Sequence, residues 1–91
     1  MTSEVQQLRK KIDTIDHKML ECLAERIETV KILADKKKSN KLSICDIQRE
    51  EKLRNIWMQK AEEFEIDIDH ACRILNEILI MSKKTQKEMI K

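Results

Sequence analysis

LRKKIDTIDHKMLECLAERIETVKILADKK, residues Leu8–Lys37, decides the architecture of this chain. Within it Leu8, Ile12, Ile15, Met19, Cys22, Leu23, Ile27, Val30 and Leu33 recur at spacings of three and four, the period of one face of an α-helix. Nothing breaks the pattern before Lys37 or Lys38, and the chain contains neither Gly nor Pro. A helix of about 33 residues is roughly 50 Å long, whereas a compact chain of this size has a radius of gyration near ~12 Å. The far end of such a helix projects with its apolar stripe bare. An isologous dimer, long helix against long helix, buries that stripe. A long coiled-coil hairpin is the competing solution, but the helices that follow are too short to cover the first one singly.

Reading outward, Ser3 and Gln6 form a possible capping box before this helix. Asn40 is the candidate left-handed residue after it, and Ser39–Cys45 reads as a loop. A second helix starts near Asp46, with Ser43 or Asp46 as its cap, and carries Leu53, Ile56, Trp57, Ala61 and Phe64. Asp67 is the predicted N-cap of a third helix. That helix shows Ile68, Ala71, Ile74, Leu75, Ile78 and Leu79 and continues toward Ile90. The predicted class is all-α, with one long and two shorter helices in a single domain over residues 1–91.

Composition excludes several functions. Lys, Glu, Leu, Ile, Ala, Gln and Met favour helix, and one Phe, one Trp and no Tyr leave little for strands. Charged residues are 40 % of the chain, but the net charge is only +2. A nucleic-acid binder usually carries a basic stripe, and none is predicted here. Lys36-Lys37-Lys38 reads as a solvated helix end. Cys22, Cys45 and Cys72 are odd in number and lack C-x-x-C spacing, and neither His17 nor His70 supplies a zinc-ligand spacing. The thiols read as reduced, mostly buried small hydrophobes in a cytoplasmic protein. His17 and His70 read as surface residues and Trp57 as a core anchor. No apolar run approaches the ~20 residues of a membrane span, and Met1-Thr2-Ser3-Glu4 has no signal-peptide character.

Eight polar residues stand out in their order: Arg9, Arg26, Lys37, Asp46, Arg49, Glu50, Ser82 and Gln86. Arg26 falls within the apolar stripe, between Cys22 and Val30. Lys37, eleven residues on, shares its face at a distance of about 16 Å. Asp46 and Glu50 lie one turn apart, as do Ser82 and Gln86. Each has an ordinary explanation: a snorkelling Arg, acids suited to a helix N-terminus, a frayed last turn. Together they describe a pocket for a small, doubly charged, hydroxylated molecule. Arg9 lies roughly 25 Å before Arg26 on the same helix, so the two cannot meet within one chain.

The succession L-R-x-x-I-D-x-I-D (Leu8–Asp16), L-x-E-R (Leu23–Arg26), Lys37, D-I-x-R-E (Asp46–Glu50) and S-x-x-x-Q (Ser82–Gln86) resembles the all-helical class of chorismate mutase across about residues 5–88. Members often carry Pro in the loop before the second helix, where this chain reads Leu42-Ser43-Ile44-Cys45. The resemblance implies an intertwined homodimer of three helices per chain, with two equivalent sites and Arg9 reaching in from the other subunit. It implies rearrangement of chorismate to prephenate, a pericyclic shift that requires no cofactor or metal. It further implies that Arg9 and Arg26 clamp the two carboxylates, and that Lys37 serves a carboxylate and the ether oxygen. Gln86 donates to that oxygen, Glu50 with Asp46 holds the ring hydroxyl, and Ser82 and Arg49 support a carboxylate or orient neighbours. Isochorismate pyruvate lyase shares the fold, although D-I-x-R-E favours the mutase. A non-catalytic helical dimerisation module explains the long helix but not Lys37, Glu50 and Gln86 in register.

Overall fold

The computed structural model describes residues 3–90, which form three helices, α1 (Ser3–Ser39), α2 (Ile47–Glu63) and α3 (Ile68–Met89). Met1, Thr2 and Lys91, included in the reading of the N-terminus and in the domain bounds, lie outside the described residues. α1 spans 37 residues, about 55 Å at the α-helical rise, and this length sets the longest dimension of the chain, 57 Å. The radius of gyration is 16.8 Å, well above the ~12 Å of a compact chain.

α3 is the central element, packing against both α1 and α2, which do not pack on each other. Its buried face is Ala71, Leu75, Ile78, Leu79, Ser82 and Gln86, met by Val30 and Ala34 of α1 and Ala61 of α2. Burying a side chain such as Leu75 stabilises by about 1.5–3 kcal/mol. The core therefore sits against the C-terminal part of α1 only. Every residue from Ser3 to Cys22 is exposed, and Leu8, Ile12, Ile15 and Met19 lie open at 46–61 %. Beside that stripe runs an apolar groove of ≈ 660 Å³, lined by Ile15, Met19, Leu23, Trp57, Ile74 and Met81 among others.

Several expectations need correction. α1 runs to Ser39, and the left-handed residue is Lys41 (φ 56°), not Asn40. Leu42 N–H donates to Lys37 O at 2.8 Å and Lys41 N–H to Lys38 O at 3.2 Å, the paired bonds of a Schellman ending. Asn40 instead donates through both its backbone N–H and Nδ2 to Lys36 O. α2 ends the same way: Ile66 N–H bonds Ala61 O at 2.8 Å, Glu65 N–H bonds Glu62 O, and Glu65 has φ 57°. With no Gly available, two ordinary residues take the left-handed position. Phe64 is the residue after α2 and is exposed, Trp57 is half-buried, and Ile74 is exposed. Cys22 and Cys45 are exposed and Cys72 half-buried, so the thiols are not buried hydrophobes in the single chain. Ser3 is the first described helical residue rather than a residue before the helix.

Both other caps stand as read. Asp46 accepts from Arg49 N–H at 3.0 Å and Asp67 from His70 N–H at 2.9 Å, contacts of about 1 kcal/mol each. His17 and His70 are exposed. No helix among the described residues is long and apolar enough to cross a membrane.

Candidate active site

At the end of the bundle where α1 and α3 terminate and α2 begins, the three helices enclose a cleft of ≈ 140 Å³. That is on the order of ten times the volume one water occupies, room for a small organic molecule. Its polar lining is Arg26 and Lys37 from α1, Asp46, Arg49 and Glu50 at the start of α2, and Ser82, Lys83 and Gln86 from α3. The apolar walls are Val30, Leu33, Ile44, Leu53 and Leu79. Seven of the eight polar residues singled out in the sequence thus meet in one place. Arg9 is not among the lining residues: it lies on the projecting, exposed part of α1.

Ser82 and Gln86 are not a frayed turn, being only 9 % and 4 % exposed. The Ser82 hydroxyl donates to Ile78 O at 2.9 Å and so presents its oxygen as an acceptor, which the Arg26 guanidinium takes. Arg26 is therefore held inward rather than snorkelling to solvent. Burial, and then the neighbouring Arg49 guanidinium, hold Arg26 below its ordinary pKa. The guanidinium remains charged, so two like charges face a partly desolvated space that an anion would relieve.

Lys37 is the hinge of the cleft. Its ammonium donates to Gln86 Oε1 at 3.0 Å and to Ile44 O at 3.1 Å, while its carbonyl receives Leu42 N–H. One residue thus closes α1, pins the loop and projects a cation into the site. Cys45 N–H also donates to Ser43 Oγ at 3.2 Å. Hydrogen bonds therefore hold the loop that lacks Pro. The Lys37 bond fixes the Gln86 amide with its oxygen toward the cation. Its Nε2 donates to Ser82 O at 3.3 Å, and the second N–H remains for another acceptor.

Asp46 is occupied as the α2 cap, and Glu50 receives three neighbours. Lys83 Nζ lies 3.2 Å and Arg54 Nη2 3.7 Å from Glu50 Oε1, and the Cys45 thiol lies 3.7 Å from Oε2. Lys83 and Arg54 were not singled out in the sequence. The signal for Lys83 was present, since 79, 82, 83 and 86 follow the i, i+3, i+4, i+7 pattern of one helix face. Four cations and two carboxylates line the cleft, a surplus of two positive charges suited to a dianion. Among the described residues no group of three or more His, Cys, Asp or Glu is placed to hold a metal ion.

The chain is similar to several known proteins. The sequence model of the family described as chorismate mutase type II matches residues 8–87. A chorismate mutase of Methanocaldococcus jannaschii is 29 % identical over 90 residues, covering 99 % of this chain and 91 % of that protein. A bifunctional chorismate mutase/prephenate dehydratase of Buchnera aphidicola subsp. Acyrthosiphon pisum is 30 % identical over 83 residues, 91 % of this chain but 22 % of that longer protein. A conserved hypothetical protein from Pyrococcus furiosus has a similar solved structure, with a TM-score of 0.72 and 31 % identity over 94 % of this chain and 99 % of that one.

Proposed function

The chain belongs to the chorismate mutase type II family and is an isomerase that converts chorismate to prephenate in aromatic amino-acid biosynthesis, and we propose that the cleft between its helix ends is the active site. The observation that carries this reading is the Lys37–Gln86 pair, 3.0 Å apart in a cleft with two surplus positive charges.

The rearrangement is pericyclic and intramolecular: the ether C–O bond breaks as a new C–C bond forms. No proton is abstracted and no covalent intermediate arises. The protein holds a flexible dianion in its reactive shape and stabilises the negative charge developing on the ether oxygen. Lys37 and the spare N–H of Gln86 are the donors to that oxygen. Arg26, oriented by Ser82, binds one carboxylate, and Arg49 adds to the field that attracts it. Glu50 accepts from the ring hydroxyl, with Asp46 beside it.

The second carboxylate is assigned to Arg9 of a partner subunit. In this reading a second copy covers the exposed face from Ser3 to Cys22 and lies along the adjoining groove, giving an intertwined homodimer with two sites. The whole chain, 1–91, acts as one catalytic domain. Three free thiols suit a reducing compartment, and we place the enzyme in the cytoplasm.

Incubation of the purified protein with chorismate tests the assignment. Chorismate absorbance should fall, with prephenate as product. Release of pyruvate from isochorismate without prephenate formation would instead identify a lyase, and inertness toward both a dimerisation module.

A further inference from the structure

The proposed mechanism leaves one charged group of the cleft unused. Lys83 follows Ser82 on α3, and its side chain, 36 % exposed, points its ammonium at Glu50 Oε1, 3.2 Å away. Glu50 is only 14 % exposed, and its two oxygens differ in their surroundings. Oε1 has both cations, Lys83 and Arg54. Oε2 has the Cys45 thiol at 3.7 Å, a weak donor that leaves the oxygen free to accept a stronger one. Arg54 is one turn along the same helix, farther away at 3.7 Å and more exposed. Among the described residues only Lys83 ties the carboxylate to a different helix, across the cleft.

We propose that Lys83 is a positioning residue: by holding Glu50 Oε1 from α3, it leaves Oε2 as the oxygen that accepts the substrate's ring hydroxyl. This rests on the assignment of Glu50 to that hydroxyl. The Lys83–Glu50 bond also ties the start of α2 to the end of α3, so the hydroxyl acceptor is set at a fixed distance from the Lys37–Gln86 pair. Without it, Glu50 keeps the same-helix Arg54 and the weak Cys45 thiol contact and samples other rotamers, and part of the population no longer matches the hydroxyl.

The test is a kinetic cycle on the full-length protein with chorismate, comparing Lys83→Met, Lys83→Arg, Arg54→Met, Glu50→Gln and the double variant Lys83→Met/Glu50→Gln. Lys83→Met should lower kcat/KM roughly three- to tenfold, within the range for residues in contact. Lys83→Arg should restore most of the activity, because a guanidinium also donates to Oε1. Arg54→Met should change kcat/KM less than about twofold, as expected of a longer contact made by a largely exposed Arg one turn along the same helix. The double variant should be no worse than Glu50→Gln alone, since Lys83 acts only through that carboxylate. Additive losses would overturn the proposal by giving Lys83 its own substrate contact. A loss that Arg does not rescue, accompanied by a lower melting temperature, would also overturn it in favour of a structural role. Unchanged kinetics in Lys83→Met beside an impaired Glu50→Gln would remove the positioning role alone and leave the mutase reading intact. An unsubstituted protein inert toward chorismate would remove the mutase reading itself, before any variant is made. Should Lys83→Met fail to fold, Lys83→Gln carries the same cycle.

Discussion

Replacing Gln86 with Glu keeps the shape of a buried side chain and changes only what it can donate. The wild-type amide accepts from Lys37 at 3.0 Å and donates to Ser82 O at 3.3 Å. An ionised carboxylate keeps the first contact, loses the second and faces the Ser82 carbonyl with like charge. It also opposes the charge developing on the ether oxygen. Two effects compete over its ionisation before substrate binds. The Lys37 ammonium at 3.0 Å favours the anion by at most ~5 kcal/mol at an effective dielectric of about 20. Burial at 4 % exposure opposes it by up to about 3–5 pK units, a similar magnitude. The ionisation of the introduced carboxyl in the free enzyme is thus set by two opposed pulls, the cation favouring the anion and burial opposing it. A bound dianion adds negative charge without adding a cation, so in the complex the same carboxyl titrates higher. The active form is the protonated one, so activity is present below the pKa and is lost as pH rises through it. Since kcat/KM reports the free enzyme and kcat the complex, the kcat profile of Gln86→Glu should fall at a higher pH than its kcat/KM profile. At neutral pH the loss should be about 10²–10³-fold, that of a missing donor, recovering as the solution is acidified. The assay is initial rate against pH for both proteins, with circular dichroism at each pH. A flat profile like that of the unsubstituted enzyme would refute the placement of Gln86 on the ether oxygen.

Lys37→Ala should lower kcat by about 10²–10³-fold or more and lower the melting temperature, because the Ile44 carbonyl and Gln86 Oε1 both lose their donor; steady-state kinetics and thermal unfolding check the two effects. Light scattering at micromolar concentration should give about twice the 10.9 kDa chain mass, and a fully active monomer would exclude the shared site. Arg9→Ala and Arg26→Ala should each abolish most activity alone, yet regain activity when mixed and re-annealed, since a heterodimer carries one intact site. Verified heterodimers without activity would place both residues in one chain's site, or the site elsewhere. Glu65→Gly should stabilise by about 0.5–1 kcal/mol, relieving a left-handed residue that costs ~1–2 kcal/mol, with kinetics unchanged; denaturant unfolding measures it.

The helices were legible because their apolar residues keep one period for long stretches, and Asp46 and Asp67 were legible because only short acceptors cap. The cleft residues were readable as a set, since Ser82, Gln86, Asp46 and Glu50 sit one turn apart in pairs. Lys41 was not readable as the left-handed residue: Asn40 has the better intrinsic preference, and the turn is set by which carbonyls Leu42 and Lys41 reach. The exposure of Ile74 and Cys22 and the partial exposure of Trp57 were equally hidden, because periodicity marks a face as apolar without saying what covers it. The face pattern reached Lys83 but not its partner. A Lys in a helix of mixed charge looks solvated until a carboxylate from a separate helix is brought to its ammonium.

The cleft keeps Arg26 and Lys37 on uncharged companions: Arg26 rests on a serine hydroxyl, and Lys37 on an amide oxygen and a backbone carbonyl. These neutral placeholders hold the donors in working orientation but bind them more weakly than an anion does, since a carboxylate adds the attraction of unlike charges to the hydrogen bond. An arriving dianion therefore exchanges a weaker acceptor for a stronger one and has no internal ion pair to break. Had Ser82 been an aspartate, the helices would be more tightly knit and the incoming carboxylate would meet a neutralised arginine. Glu50, a carboxylate that is ion-paired within the cleft, is the group assigned to an uncharged hydroxyl, where prior neutralisation costs little.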